Sequence, residues 1–181
     1  MLITACRTIT TVYMGSHEHK IAAPKSVTVG IITVSTTRSL ETDESGHWIR
    51  AQATAEGHTV VLHRLVTDKE TAIRKTVQTA LRETAPQALI LNGGTGISPT
   101  DVTIETLRPM FIKEMTAFGP LFALLSHRQI GSAAVLSRAT AGVIERTVVI
   151  CLPGSLNACR MAWQEMISSE LSHMVHHVRE G

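Results

Sequence analysis

An α/β domain on a largely parallel sheet is what this sequence predicts, and three observations predict it. Short apolar runs alternate with segments of helical period, their order is β-α-β-α-β, and several runs end in turns rich in glycine and hydroxyl side chains. A strand covered on both faces reads as a continuous apolar run, and residues 27–34 (Val-Thr-Val-Gly-Ile-Ile-Thr-Val) and 88–91 (Ala-Leu-Ile-Leu) read that way.

Taken in order, residues 27–34 form a strand with its turn at Ser35-Thr36-Thr37-Arg38. A helix over 44–56 stops at Gly57, a second strand covers 58–66, and a second helix over 69–83 is bounded by Pro86. Beyond the strand at 88–91, residues 104–110 and 113–127 read as helix, interrupted at Pro109 and at Gly119-Pro120, because proline lacks the N–H donor. Short strands are expected at 133–136 and 147–152, separated by residues 137–142, and Pro153-Gly154-Ser155 turns into a last helix that runs toward His177. Residues 1–25 show no sustained period and end beside Pro24, so they read as an N-terminal arm before a domain at 26–181. The length of 181 residues suits one such domain.

The most informative stretch is Asn92-Gly93-Gly94-Thr95-Gly96-Ile97-Ser98-Pro99-Thr100-Asp101-Val102-Thr103. It follows a buried strand, at the sheet edge where α/β proteins bind ligands. Gly93, Gly94 and Gly96 can take positive φ and bring backbone N–H groups close to an anion, with Thr95, Ser98 and Thr103 adding hydroxyls. Asp101 would be repelled by bare phosphate, so it fits a cation or a proton being removed. A plain strand-to-helix turn capped by Asp101 or Thr103 is the competing reading. The glycines match neither the dinucleotide fingerprint nor a P-loop. The ends at Ser35, 93–101 and Pro153-Gly154-Ser155 would lie along one rim of a doubly wound sheet.

Composition removes several functions. Seventeen Lys and Arg against fifteen Asp and Glu, with three Phe, two Trp and one Tyr, give no basic groove with stacking aromatics, so no nucleic-acid partner is expected. Cys6, Cys151 and Cys159 offer no C-x-x-C pair, and a reducing cytoplasm is the expected compartment. Cys151 and Cys159 read as packed thiols. No apolar run approaches the roughly twenty residues of a membrane span.

From about Val27 onward the chain resembles the MoaB/Mog family of molybdenum cofactor biosynthesis proteins. The resemblance is carried by Thr33-Val34-Ser35, Asp43-Glu44-Ser45-Gly46, Leu65-Val66-Thr67-Asp68, Gly93-Gly94-Thr95-Gly96 with Asp101-Val102-Thr103, Lys113-Glu114-Met115 with Phe118-Gly119, Leu136-Ser137-Arg138-Ala139 with Gly142, and Leu152-Pro153-Gly154-Ser155. The arm and Ser137-Arg138-Ala139 are more like the MoaB branch. The resemblance implies a three-layer α/β/α fold that binds molybdopterin, and in active members adenylylates it with ATP and Mg²⁺, releasing pyrophosphate before metal insertion. It implies that Asp101 is the essential aspartate beside Mg²⁺, that Asp68 is a second aspartate of the same chemistry, and that Ser137 and Arg138 join the pterin- and nucleotide-binding set. It further implies a homotrimer or homohexamer, and a metal-insertion protein as partner; a 44% hydrophobic composition agrees with covered apolar surface. The chain departs from the family pattern at Thr36, where Asp is common, at Thr100, where Arg is common, and at Ile104, where Pro is common. Thr cannot replace the planar fork that Arg offers phosphate. A pterin-binding or scaffold protein without efficient catalysis is therefore the alternative reading.

His173, His176 and His177 share a helical face at i, i+3 and i+4, which suits either a metal or the favourable negative end of a helix dipole. His17 and His19 form a weaker pair in the arm. Ser126-His127 lacks a nucleophile elbow, which argues against a serine hydrolase.

Overall fold

The computed structural model describes residues 24–180. The N-terminal arm, with Cys6, His17 and His19, lies outside the described residues except for its last two positions. Six strands, β1 (Thr28–Val34), β2 (Thr59–Val66), β3 (Ala88–Asn92), β4 (Lys113–Glu114), β5 (Thr140–Ile144) and β6 (Thr147–Leu152), form one sheet in the order β2-β1-β3-β6-β5-β4. The four strands β2, β1, β3 and β6 run parallel, while β5 pairs antiparallel with β6 and β4 antiparallel with β5. The expected mostly parallel sheet is therefore present.

Helices cover both faces, because alternate side chains of each strand need an apolar partner on their own side. On one face Val29, Ile31, Ile90 and Ile150 pack with α1 (Glu44–Ala55), α4 (Phe118–Ile130), α5 (Leu156–Ala162) and α6 (Leu171–Arg179), around the fully buried Phe122 and Trp163. On the other face Ile32, Val34, Leu89, Leu91 and Val149 pack against Ile73, Val77 and Leu81 of α2 (Glu70–Glu83) and Ile104 and Leu107 of α3 (Thr103–Leu107). Between α5 and α6 the chain widens into a π turn at Trp163–Ile167. Glu56, at the end of α1, accepts from Trp163 Nε1 at 2.7 Å and Ser168 Oγ at 2.8 Å, tying the two helices together there.

Three readings of the sequence need correction on the antiparallel side. The expected strand at 133–136 is part of a 3₁₀ segment, Gly131–Leu136, and its Val135 is 82% exposed. The true strand is β5, inside the stretch read as a connection; it turns into β6 through Glu145-Arg146, with Glu145 at φ 53°. Two-residue hairpin turns usually announce themselves with Asn-Gly or Asp-Gly, which is absent here. Residues 113–127 are not one helix: Lys113–Glu114 pairs with β5, and α4 begins at Phe118. Pro120 does not interrupt α4, because it lies in the first turn, where no intrahelical donor is required. Gly142 belongs within β5 because an added Cβ would meet the Phe111 ring at 2.5 Å.

Candidate functional site

Because β1, β3 and β6 are neighbours and parallel, their carboxyl ends lie side by side, and the turns that follow them meet. They enclose a cavity of about 230 Å³ lined by Val34, Ser35, Thr37 and Arg38 after β1, Gly93 to Gly96 and Asp101 after β3, and Pro153 and Gly154 after β6. Eight of the residues expected at the site therefore come together here: Ser35, Gly93, Gly94, Thr95, Gly96, Asp101, Pro153 and Gly154.

The glycine loop is held in place from two directions. Gly93 and Gly94 have φ of 102° and 62°, and a side chain at Gly93 would collide with the Val34 carbonyl oxygen. From within, the Thr103 hydroxyl donates to the Gly93 carbonyl at 2.8 Å and the Thr103 N–H to the Gly94 carbonyl at 2.9 Å. Thr103 thus braces the loop as the first residue of α3; neither it nor Asp101 caps that helix through a side chain. From the other side, Arg138 Nε donates to the Thr95 and Gly96 carbonyls at 2.9 and 3.0 Å, and Nη2 to Gly96 at 2.6 Å. Glu105 fixes that guanidinium through a 2.6 Å bond to Nη1, and the same bond holds the Glu105 carboxyl below its ordinary pKa. In a trans peptide the N–H points opposite the carbonyl, so pinning these carbonyls directs the following amides away from Arg138. Arg138 acts on the site through the loop.

The other expected residues take supporting places. Ser98 and Asp101 close their turn reciprocally: Ser98 N–H donates to Asp101 Oδ2 at 2.9 Å, and Asp101 N–H to the Ser98 carbonyl at 2.9 Å. Asp68 lies beside the loop from the end of β2; a Cβ added to Gly94 would stand 3.2 Å from its Oδ1. Ser155 caps α5, accepting from Ala158 N–H at 3.3 Å. Ser137, next to Arg138, lines a separate groove of about 290 Å³ with Ile104, Arg108, Gly119 and Pro120.

Arg38 was not singled out by the sequence reading, although it ends the turn after β1. It lines the cavity and its Nη1 donates to the Gly154 carbonyl at 3.0 Å, clasping the first and third turns together. Ser45 Oγ donates to the same carbonyl at 2.9 Å. Ser35 Oγ accepts from the Thr37 and Arg38 N–H groups, both at 3.2 Å, which sets the turn that presents Arg38. Arg38 and Asp101 are the charged residues in the cavity wall, one of each sign.

Beneath the rim runs a buried polar chain that only the structure reveals. Asn92 Nδ2 donates to Thr33 Oγ1 at 2.9 Å, Thr33 donates to Asp43 Oδ2, and His63 Nε2 lies 2.9 Å from the same oxygen. Gly46 N–H donates to Asp43 Oδ1 at 3.0 Å, so Asp43 also caps α1. Burial raises the Asp43 pKa, but the bonds from His63, Thr33 and Gly46 outweigh it and hold the carboxyl below its ordinary value. A side chain at Gly46 would occupy the space where Asp43, His63 and Thr33 meet. Among the described residues, Thr95 Oγ1 in the cavity wall and Asn92 Oδ1 just before the loop are buried without a hydrogen-bond partner. Such a buried orphan oxygen in a cavity wall calls for a ligand or water to donate to it. Burial pushes the Cys151 and Cys159 thiols up to about 12, so they are packed thiols and not nucleophiles.

With this geometry established, comparison with known proteins is informative. Residues 30–173 match the model of the probable molybdopterin-binding domain. The chain is 43% identical over 168 residues to molybdenum cofactor biosynthesis protein B of Bacillus subtilis, covering 92% of this chain and 99% of that protein. It is 39% identical over 143 residues to the Escherichia coli K12 protein of the same name, covering 79% and 84%. A crystal structure of a molybdenum cofactor biosynthesis protein B superposes with a TM-score of 0.84 at 39% identity, covering 88% of this chain and 99% of the other. The tungsten cofactor synthesizing protein MoaB of Pyrococcus furiosus superposes with a TM-score of 0.75 at 38% identity, covering 87% and 99%. A 43% identity that spans nearly the full length, together with the shared fold, leads to one assignment: this chain belongs to the molybdenum cofactor biosynthesis protein B family.

Proposed function

We propose that the protein binds molybdopterin and transfers an adenylyl group to it from ATP. The observation that carries this reading is the meeting of three strand-end turns around one cavity, with loop amides, one Arg and one Asp at its wall. The cavity of about 230 Å³ suits phosphate groups, and the groove beyond Arg138 lies next to the same loop, a place for the pterin. In the reaction, a phosphate oxygen of molybdopterin attacks the α-phosphorus of ATP; the new P–O bond forms as the bond to the leaving pyrophosphate breaks. Loop amides around Gly94 to Gly96 and the Arg38 guanidinium would hold phosphate oxygens, and Thr95 Oγ1 would gain the partner it lacks.

The acidic residues beside the loop suit Mg²⁺. Magnesium favours hard oxygen donors and is commonly held by one or two carboxylates together with substrate phosphates. Asp101, in the cavity wall, would hold it, with Asp68, beside Gly94, as the second carboxylate. When bound, Mg²⁺ neutralises charge on the triphosphate. The chain's own contribution is to position phosphates through a loop braced by Thr103 and Arg138. Asp101, set by Ser98, is already turned toward Gly96, 2.8 Å from where a Cβ there would stand.

Thr36 and Thr100 favour a second reading, a pterin-binding or scaffold role without efficient turnover, because they are neutral where the family pattern commonly has charge. Assembly into a homotrimer or homohexamer belongs to the same proposal. Val135, Ile97, Ile112 and Ile130 are each more than half exposed in the single chain, and assembly would cover such surface. Among the described residues no helix is long and apolar enough to cross a membrane. Purified protein given molybdopterin, Mg²⁺ and labelled ATP should form adenylylated pterin and pyrophosphate. Pterin binding without product would establish the scaffold reading, and absence of both would reject the proposal.

A further inference from the structure

We propose that His173 and His177 form a two-histidine chelate site for a late first-row divalent cation on α6, apart from the strand-end cavity. The sequence placed three histidines on one helical face; the structure sorts them. His176 is buried and its Nε2 lies 2.8 Å from Glu180 Oε2, whereas the Nε2 atoms of His173 and His177 face each other at 2.9 Å, with ring centroids 4.6 Å apart. Two imidazole nitrogens sharing a cation at about 2.0–2.1 Å stand about 2.9 Å apart when the bonds meet at a right angle, and about 3.4 Å apart at the tetrahedral angle. The observed spacing matches the right-angled case, the geometry favoured by Cu²⁺ and Ni²⁺, for which imidazole is a good ligand.

The protonation pattern supports the same chemistry. Glu170 Oε2 lies 3.1 Å from His173 Nδ1, so the carboxylate keeps the proton on Nδ1 and leaves Nε2 unprotonated for a cation. To bind a cation, His177 adopts the tautomer protonated at Nδ1, which turns its Nε2 into an acceptor like that of His173. The helix is held firmly enough for such a chelate, because Leu171 and Val175 are buried in the core on its other side. Among the described residues no group of three or more His, Cys, Asp and Glu side chains gathers as a metal site. Among the described residues the cation therefore takes His173 and His177 as its ligands, with water completing the shell.

The test uses the full chain without an affinity tag, titrated calorimetrically with CuCl₂ and with NiCl₂, and electron paramagnetic resonance of the Cu²⁺ form. One cation should bind per chain at micromolar concentration, with nitrogen hyperfine splitting from imidazole. His177→Ala, at an exposed position, and His173→Ala should each weaken binding at least about tenfold, and Glu170→Gln about tenfold. His176→Gln should leave it unchanged. Binding that survives both His173→Ala and His177→Ala, or that disappears only when His17 and His19 are replaced, would overturn the proposal, as would no binding at all.

Discussion

The parallel half of the sheet is built from apolar strands and its antiparallel margin ends in the charged, exposed pair Lys113–Glu114, and the two present different edges. In the half formed by β2, β1, β3 and β6 every strand points the same way, so the turns after β1, β3 and β6 fall on one rim and can share a ligand. In the margin formed by β5 and β4, direction alternates and the connections fall at opposite ends. That margin supplies a brace instead: Arg138, just before β5, reaches across to the glycine loop's carbonyls. The comparison teaches that the rim gathers the cavity while the margin holds the rim, and each half can be disturbed separately.

The largest separation should come from Asp101→Asn. The substitution keeps the side chain's size and removes its charge, so adenylyl transfer should fall by about 10²-fold or more while pterin binding and thermal stability change little. Unchanged turnover in an active preparation would remove Asp101 from the chemistry. Gly93→Ala should act on the fold: at φ 102° and with the Val34 carbonyl in the way, the loop must shift, at a cost of about 2–4 kcal/mol in denaturant unfolding.

A subtler break comes from the margin. Arg138→Lys keeps the charge but cannot bridge two carbonyls and Glu105 at once, so ATP affinity should fall about tenfold with the fold intact. Calorimetry that found affinity unchanged would show that the loop holds its shape without the brace. The buried chain beneath the rim gives the smallest effect, and one that depends on pH. Because the Asp43 carboxyl is held below its ordinary pKa in the folded state, its stabilisation is fully present above the ordinary carboxylate range and is lost as pH falls through the lowered folded value. Asp43→Asn should therefore flatten the acid limb of stability against pH, while the wild type loses stability there; parallel acid limbs would contradict this.

The parallel half was legible in the sequence because burial on both faces forces continuous apolar runs, and because Gly93-Gly94 marks a strand end where positive φ is required. The margin was not legible for equally physical reasons. Residues 133–136 are apolar but largely exposed, so their composition imitated a strand, while β5 begins Thr-Ala-Gly and turns through a Glu-Arg pair that carries no hairpin signal. At the site, the glycines, Asp101 and Pro153-Gly154 were readable because each residue type has few other reasons to occupy a strand end. Arg38 and the chain from Asn92 to His63 were not, since their roles come from contacts across 116 residues in the first case and 59, 10 and 20 in the second. Arg138 was placed at the site by resemblance; its contacts brace the carbonyls of the glycine loop.

The most direct test of the account is a crystal structure of the protein soaked with molybdopterin, Mg²⁺ and a non-hydrolysable ATP analogue. The account predicts nucleotide phosphates on the amides around Gly94 to Gly96, within reach of Arg38 and Asp101, with the pterin toward Ser137. Nucleotide and pterin bound at the opposite, amino-terminal edge of the parallel strands, with the glycine loop empty, would contradict it.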